Sequence, residues 1–158
     1  MDNLKNLRIK NGYSQLQLAS FLDVGASVVA RWEAGHTLPS LVQIIKLCRI
    51  LKCIPSALFS CCADSDLMIP VFDDDASLYQ TFSLCSTEQK SDFGIILSSD
   101  TAGRLCAGDV CFFNIQNTAE KSSIVLVNTN EYDWDIVLYD DSQPHNIIAV
   151  CTEVRCSI

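Results

Sequence analysis

Apolar positions in the first sixty residues recur with a helical period. Leu4, Leu7 and Arg8 begin an amphipathic turn series that stops at Asn11-Gly12, a pair that ends helices. Ser14 then stands where an N-cap is wanted, and Leu16, Leu18, Ala19 and Leu22 form the apolar stripe of a second helix. Gly25 follows a short turn. Val28, Val29 and Trp32 supply the apolar positions of a third helix, which closes near Gly35. Pro39 and Ser40 open a fourth helix, with Leu41, Ile44, Ile45, Leu47, Cys48 and Leu51 as its buried face. Pro55 starts a short fifth turn carrying Leu58 and Phe59.

The period then changes. Residues 61–77 hold Cys61-Cys62, several acids and Pro70, a composition that suits a linker. From about residue 78 onward the apolar runs are short and β-branched or aromatic. They are Gly94–Leu97, Val110–Asn114, Ser123–Asn128, Trp134–Tyr139 and Ile147–Val154, separated by breakers such as Gly108-Asp109 and Asp140-Asp141-Ser142. The pattern predicts an α + β chain in two domains: a five-helix bundle at 1–60, a linker at 61–77 and a small mostly-β domain at 78–158. There are no internal repeats.

Charge divides along the same line. The formal net charge is -8, which by itself argues against a nucleic-acid partner. Residues 1–60 nevertheless carry seven Lys/Arg against three acids, a net of +4, whereas residues 61–158 carry four against sixteen, a net of -12. A basic first third is suited to phosphate and an acidic remainder is repelled by it, so the two domains are expected to have different partners. With 49% hydrophobic and 19% charged residues the chain is globular. No apolar run approaches the length of a membrane span, and the N-terminus lacks the apolar core of a signal peptide, so a cytoplasmic protein is expected.

The nine cysteines are odd in number and include no CxxC pair. Outside a secretory context they read as free thiols packed like small apolar residues. Cys61-Cys62, outside the periodic segments, is the redox candidate. Only His36 and His145 are available to assist a zinc site, and neither has ligand spacing to a cysteine, so no metal or cofactor is expected.

Residues 7–35 read LRIKNGYSQLQLASFLDVGASVVARWEAG. This resembles the XRE/Cro family of helix-turn-helix repressors at Leu7-Arg8, Gly12, Ser14-Gln15, Leu18-Ala19, Leu22, Val24, Ser27, Val29, Trp32-Glu33, Gly35 and Pro39. The resemblance implies a transcription regulator, a repressor of phage or mobile-element type, whose third helix enters the major groove of double-stranded DNA. It places Ala26, Ser27 and Arg31 at the base-facing positions, with Val28 beside them if it is exposed and Gly25 among the DNA-binding residues at the start of the helix. Arg31 is the principal reader, because its guanidinium can pair bidentately with guanine O6 and N7. Ser14 and Gln15 would meet phosphate at the start of the second helix, with His36 and Thr37 beyond the third. Trp32 is expected in the core, and Glu33 in a local hydrogen bond or ion pair. Gly25-Ala26 is almost bare of polar groups and AGHTLPS lacks Lys or Arg. Modest affinity per domain is therefore expected, and specific binding would need a homodimer.

The C-terminal part resembles the LexA-type repressor-peptidase fold, through DFGIILSSDTAGRLCAGDVCFFN at 92–114 and the later strands DWDIVLY and NIIAVCTEVRCSI. Gly108-Asp109 is the best-matched element, and Ser99 or Asp100 falls at the position of that family's nucleophilic serine. The family's chemistry also needs a neutral lysine as base. The matching position is Ile136 or an adjacent non-basic residue, and Lys121 lies before the strand. Residues 60–80 contain no Ala-Gly or Cys-Gly bond to cleave. The resemblance therefore implies a domain that keeps the fold without the protease, with no catalytic residues, and that serves self-association or docking of a regulatory protein. Two other classes stay open: a self-cleaving repressor-peptidase, and an antitoxin or adaptor whose main partner is a protein.

Overall fold

The computed structural model describes residues 3–59, 68–73, 81–84, 91–100, 105–129, 133–141 and 146–156. The chain divides into two units, Met1–Asp66 and Leu67–Ile158.

The first unit is five helices: α1 Leu4–Lys10, α2 Gln15–Phe21, α3 Ala26–Glu33, α4 Leu41–Leu51 and α5 Pro55–Leu58. Their ends lie where the sequence signals put them. Gly12 and Gly35 take the left-handed conformation (φ +76° and +73°) that lets the chain leave α1 and α3 without a Cβ clash. Ser14 and Ser40 each accept a hydrogen bond from the backbone N–H three residues on, and Gln17 and Gln43 accept from the cap N–H in return. Pro55 occupies the first turn of α5, where no intrahelical donor is lost.

Leu4, Leu18, Val29, Leu41, Leu47 and Leu58 are completely buried, and Trp32 is nearly so. Leu16 departs from expectation, at 71% exposed. It lies two residues from Leu18, hence about 200° around the helix from it, so the face that buries Leu18, Ala19 and Leu22 points Leu16 outward.

The second unit contains, among the described residues, seven strands in one sheet. They are β1 Met68–Asp73, β2 Thr81–Leu84, β3 Phe93–Ile96, β4 Val110–Asn114, β5 Ile124–Asn128, β6 Trp134–Leu138 and β7 Ile147–Arg155. The order across the sheet is β2-β1-β3-β4-β7-β5-β6. All neighbouring pairs are antiparallel except β1 with β3.

Strand β1 corrects the expected linker at 61–77, and β2 was not among the expected runs. Pro70 and the flanking acids masked β1. The pairing of β1 with β3 begins one residue after the proline, at Val71↔Gly94, so the missing N–H costs no ladder bond to β3. Met68–Val71 pairs instead with Leu84–Thr81 of β2.

The sheet is buried on both faces of its middle strands. Phe113 is fully buried against Phe93, the two rings stacked at 5.5 Å, and Phe93 meets Phe72 edge-on at 6.2 Å. On the opposite face Phe112 packs with Ile69 and Val110, under the Arg155 guanidinium at 4.5 Å from the ring centre. Gly94 sits where the sheet is tightest: a Cβ there would lie 3.3 Å from both the Phe112 ring and Val71 Cγ2. Strand β7 runs between β4 and β5. The registers step over Thr152 on one side and Ile148 on the other, two bulges that bend the strand.

Candidate nucleic-acid interface

The turn between α2 and α3 is set by Asp23, in the left-handed region (φ 55°), and by the Val24 N–H, which donates to Ala19 O at 3.1 Å. Ala19 is 1% exposed, so only a small side chain fits where the chain doubles back on α2. Helix α3 then buries Val29 and Trp32 and turns Ser27, Arg31 and Ala34 to solvent. The spacing 27, 31, 34 is one stripe of a helix, opposite the packed stripe. Gly25 is the N-cap of α3 and exposed, while Ala26 and Val28 are half-buried at its edge. The far end is closed by the His36 N–H, which donates to Arg31 O at 2.9 Å. His36 is exposed there and Thr37 half-buried.

Behind this face lies a polar network that the sequence only hinted at. Arg8 Nε donates to Glu33 Oε1 at 2.5 Å and its Nη2 to Oε2 at 3.2 Å, a bidentate pair joining α1 to α3. A third Arg8 nitrogen, Nη1, donates to Tyr13 O at 2.7 Å. Gln15 Nε2 donates to Glu33 Oε2 at 2.8 Å. The side chains of Arg8 and Glu33 are 10% and 4% exposed. Burial acts to raise the Glu33 carboxyl, but the hydrogen bonds from Arg8 and Gln15 outweigh it and hold the carboxyl below its ordinary range. The hydrogen bond to Glu33 likewise holds the Arg8 guanidinium in its charged form.

The local hydrogen bond or ion pair expected of Glu33 is thus present, and its ionic partner is Arg8. The available signal was an arginine on the apolar side of α1 with an acid at the end of α3. Gln15 is half-buried, and Glu33 takes one of the two hydrogens of its amide. Ser14 Oγ accepts from the Gln17 N–H at 3.1 Å, so its own hydroxyl hydrogen is available to an acceptor outside the helix.

In the second unit, Gly108-Asp109 forms a tight closure between β3 and β4. Gly108 (φ +92°) donates its N–H to Leu97 O at 2.7 Å, and the Leu97 N–H donates to Asp109 O at 3.0 Å. The Asp109 carboxylate, 3% exposed, accepts from the Cys106 N–H at 2.9 Å. Ser99 is exposed, and beside it Asp100 Oδ1 accepts from the Ala107 N–H at 2.9 Å. Ile136 is buried in β6 at 4% exposure, and Lys121 is exposed on the turn before β5.

Among the described residues no group of three or more His, Cys, Asp or Glu is placed to hold a metal ion. Likewise, no helix among them is long and apolar enough to cross a membrane. Cys61-Cys62 and His145 lie outside the described residues.

No curated protein matches the chain significantly. Among solved structures, that of FeII HppE in complex with substrate shares 16% identity over 94% of this chain and 87% of that one, with a TM-score of 0.34. A second FeII HppE structure shares 14% identity over 94% and 88%, also with a TM-score of 0.34. Both scores fall below the level that indicates a shared fold. A family model described as Helix-turn-helix matches residues 4–58. That match runs from the first residue of α1 to the last of α5, so the N-terminal unit is a helix-turn-helix domain.

Proposed function

We propose that the chain is a sequence-specific transcription regulator, a cytoplasmic repressor of phage or mobile-element type, that binds double-stranded DNA as a dimer. The observation that carries this reading is the exposed Ser27–Arg31–Ala34 stripe on α3, held by a buried Arg8–Glu33–Gln15 network at its back. A helix presented this way fits the major groove with Gly25, Ala26 and Ser27 at its leading end and Arg31 one turn further. Ser27 can donate to or accept from a base or phosphate, Ala26 and Val28 offer methyl contacts to thymine, and Arg31 offers a two-pronged donor to guanine. The Ser14 hydroxyl and the second Gln15 amide hydrogen are donors for phosphate on one flank, His36 and Thr37 on the other.

The acidic β unit acts, in this proposal, as the pairing module and as a docking face for a regulatory protein. It is read as a LexA-type domain without the peptidase. Three features support a non-enzymatic role. Asp100 stands next to Ser99 with its carboxylate tied to Ala107, the LexA-type resemblance puts buried Ile136 or an adjacent non-basic residue where the base would be, and Lys121 sits on an exposed turn.

Arg31→Ala tests the assignment of the reader. The variant is expected to lose about 1–3 kcal/mol of discrimination at one base pair of each half-site while its binding to unrelated sequence falls little. A binding-site profile measured for both proteins shows which occurs. An equal loss on every sequence would make Arg31 a phosphate contact instead.

A further inference from the structure

Two cysteines at the end of α4 are placed together by the backbone. Lys52 takes the left-handed conformation (φ 52°), and the Cys53 N–H turns back to donate to Cys48 O at 3.0 Å. The Lys52 N–H donates to the same carbonyl. This is the helix-closing geometry that brings the side chain before the turn against the one after it, a contact apolar side chains commonly fill. Here both positions are thiols, and the two hydrogen-bond each other. Cys48 is 3% exposed and Cys53 half-buried, so of the two residues Cys53 is the one that keeps surface open to solvent.

We propose that Cys48 and Cys53 form a dithiol that a peroxide converts to an intramolecular disulfide, a reversible modification site within the helix-turn-helix domain. The Cys53 sulfur attacks one peroxide oxygen; the O–O bond breaks, the other oxygen leaves as water or alcohol with the proton given up by the Cys53 thiol, and Cys53 becomes a sulfenic acid. The Cys48 sulfur then attacks the Cys53 sulfur. The S–S bond forms, the S–O bond breaks, and water departs carrying the Cys48 proton. One peroxide is reduced and two thiols are oxidised. The Cys48 hydrogen bond lowers the Cys53 thiol from its ordinary value against the effect of burial, which favours Cys53 as the attacking thiolate.

Arg49 and Lys52 lie between the two cysteines, so trypsin separates them unless a bridge joins the fragments. The full chain is treated with a small excess of hydrogen peroxide, its remaining thiols are blocked with a maleimide, and it is digested without reductant. The expected product is the Cys48 peptide joined to the peptide that begins at Cys53, with fragmentation placing the bridge at Cys53 and reductant separating the pair. In Cys48→Ala, a small apolar replacement, the same treatment should leave a sulfenic acid on Cys53 that a cyclic dione traps. The proposal is overturned if Cys48 stays open to maleimide while Cys53 oxidises to the sulfinic acid. A Cys48 bridge to Cys61, Cys62 or Cys85 also overturns it, as does a Cys53 in Cys48→Ala that yields no sulfenic acid.

Discussion

Glu33→Ala is expected to destabilise the helix-turn-helix domain by roughly 3–5 kcal/mol, the cost of leaving a buried charge without its partner. The Arg8 guanidinium, 10% exposed, would keep only its bond to Tyr13 O, and the Gln15 amide would lose its acceptor. A surface ion pair would cost about 1 kcal/mol or less, so the size of the loss distinguishes the two situations. The chain has two tryptophans, Trp32 buried in the first unit and Trp134 half-buried in the second. In a Trp134→Phe background, denaturant unfolding followed by fluorescence reports the helical unit alone.

The same pair sets a pH dependence. The Glu33 carboxyl has a folded-state pKa below its ordinary value, so its contribution is present above the unfolded-state pKa. That contribution is lost as the pH falls through the folded-state value. The stability gap between the native protein and Glu33→Gln should therefore narrow toward acid pH. Arg8 stays charged throughout and adds no pH dependence of its own.

Phe113→Ala should cost the β unit about 3–5 kcal/mol, as expected for deleting a buried ring. Phe113 is fully buried, stacks on Phe93 at 5.5 Å and sits at the β4–β7 bulge, opposite Cys151. Its neighbours belong to the middle of the sheet, which cannot close over the void without shifting strand registers. Unfolding in a Trp32→Phe background, read at Trp134, gives the loss. A change below about 1 kcal/mol would mean that the aromatic stack is not the centre of this core.

The helical half was legible because its signals are local. Asn11-Gly12, Ser14, Ser40 and Pro55 each fix a helix end through the conformation or hydrogen bonds of that residue, and each acts where it was read. The five expected β runs are likewise strands: the middle ones are continuous apolar β-branched and aromatic residues that suit a sheet buried on both faces, whereas the edge strand Trp134–Leu138 buries only Ile136. Strand β1 was hidden because Pro70 is compatible with pairing on one side, which only the neighbour strands reveal. Leu16 is apolar but lies off the angular stripe of Leu18, Ala19 and Leu22, which its side-chain type alone does not reveal.

In the candidate site, the exposure of Arg31 and the burial of Trp32 follow from the helical period. The Arg8–Glu33–Gln15 network does not, because it joins residues 25 apart in the case of Arg8 and Glu33. Cys48 and Cys53 escaped notice for a different reason: their spacing means nothing until Lys52 is seen in the left-handed conformation.

Selection of duplexes from a random-sequence pool with the full-length protein tests the central claim, that paired α3 helices read the major groove. The account predicts enrichment of two related half-sites whose centres lie about 34 Å apart, or a multiple of that, on one face of the DNA. A bound pool that cannot be told from the input at moderate salt would contradict it.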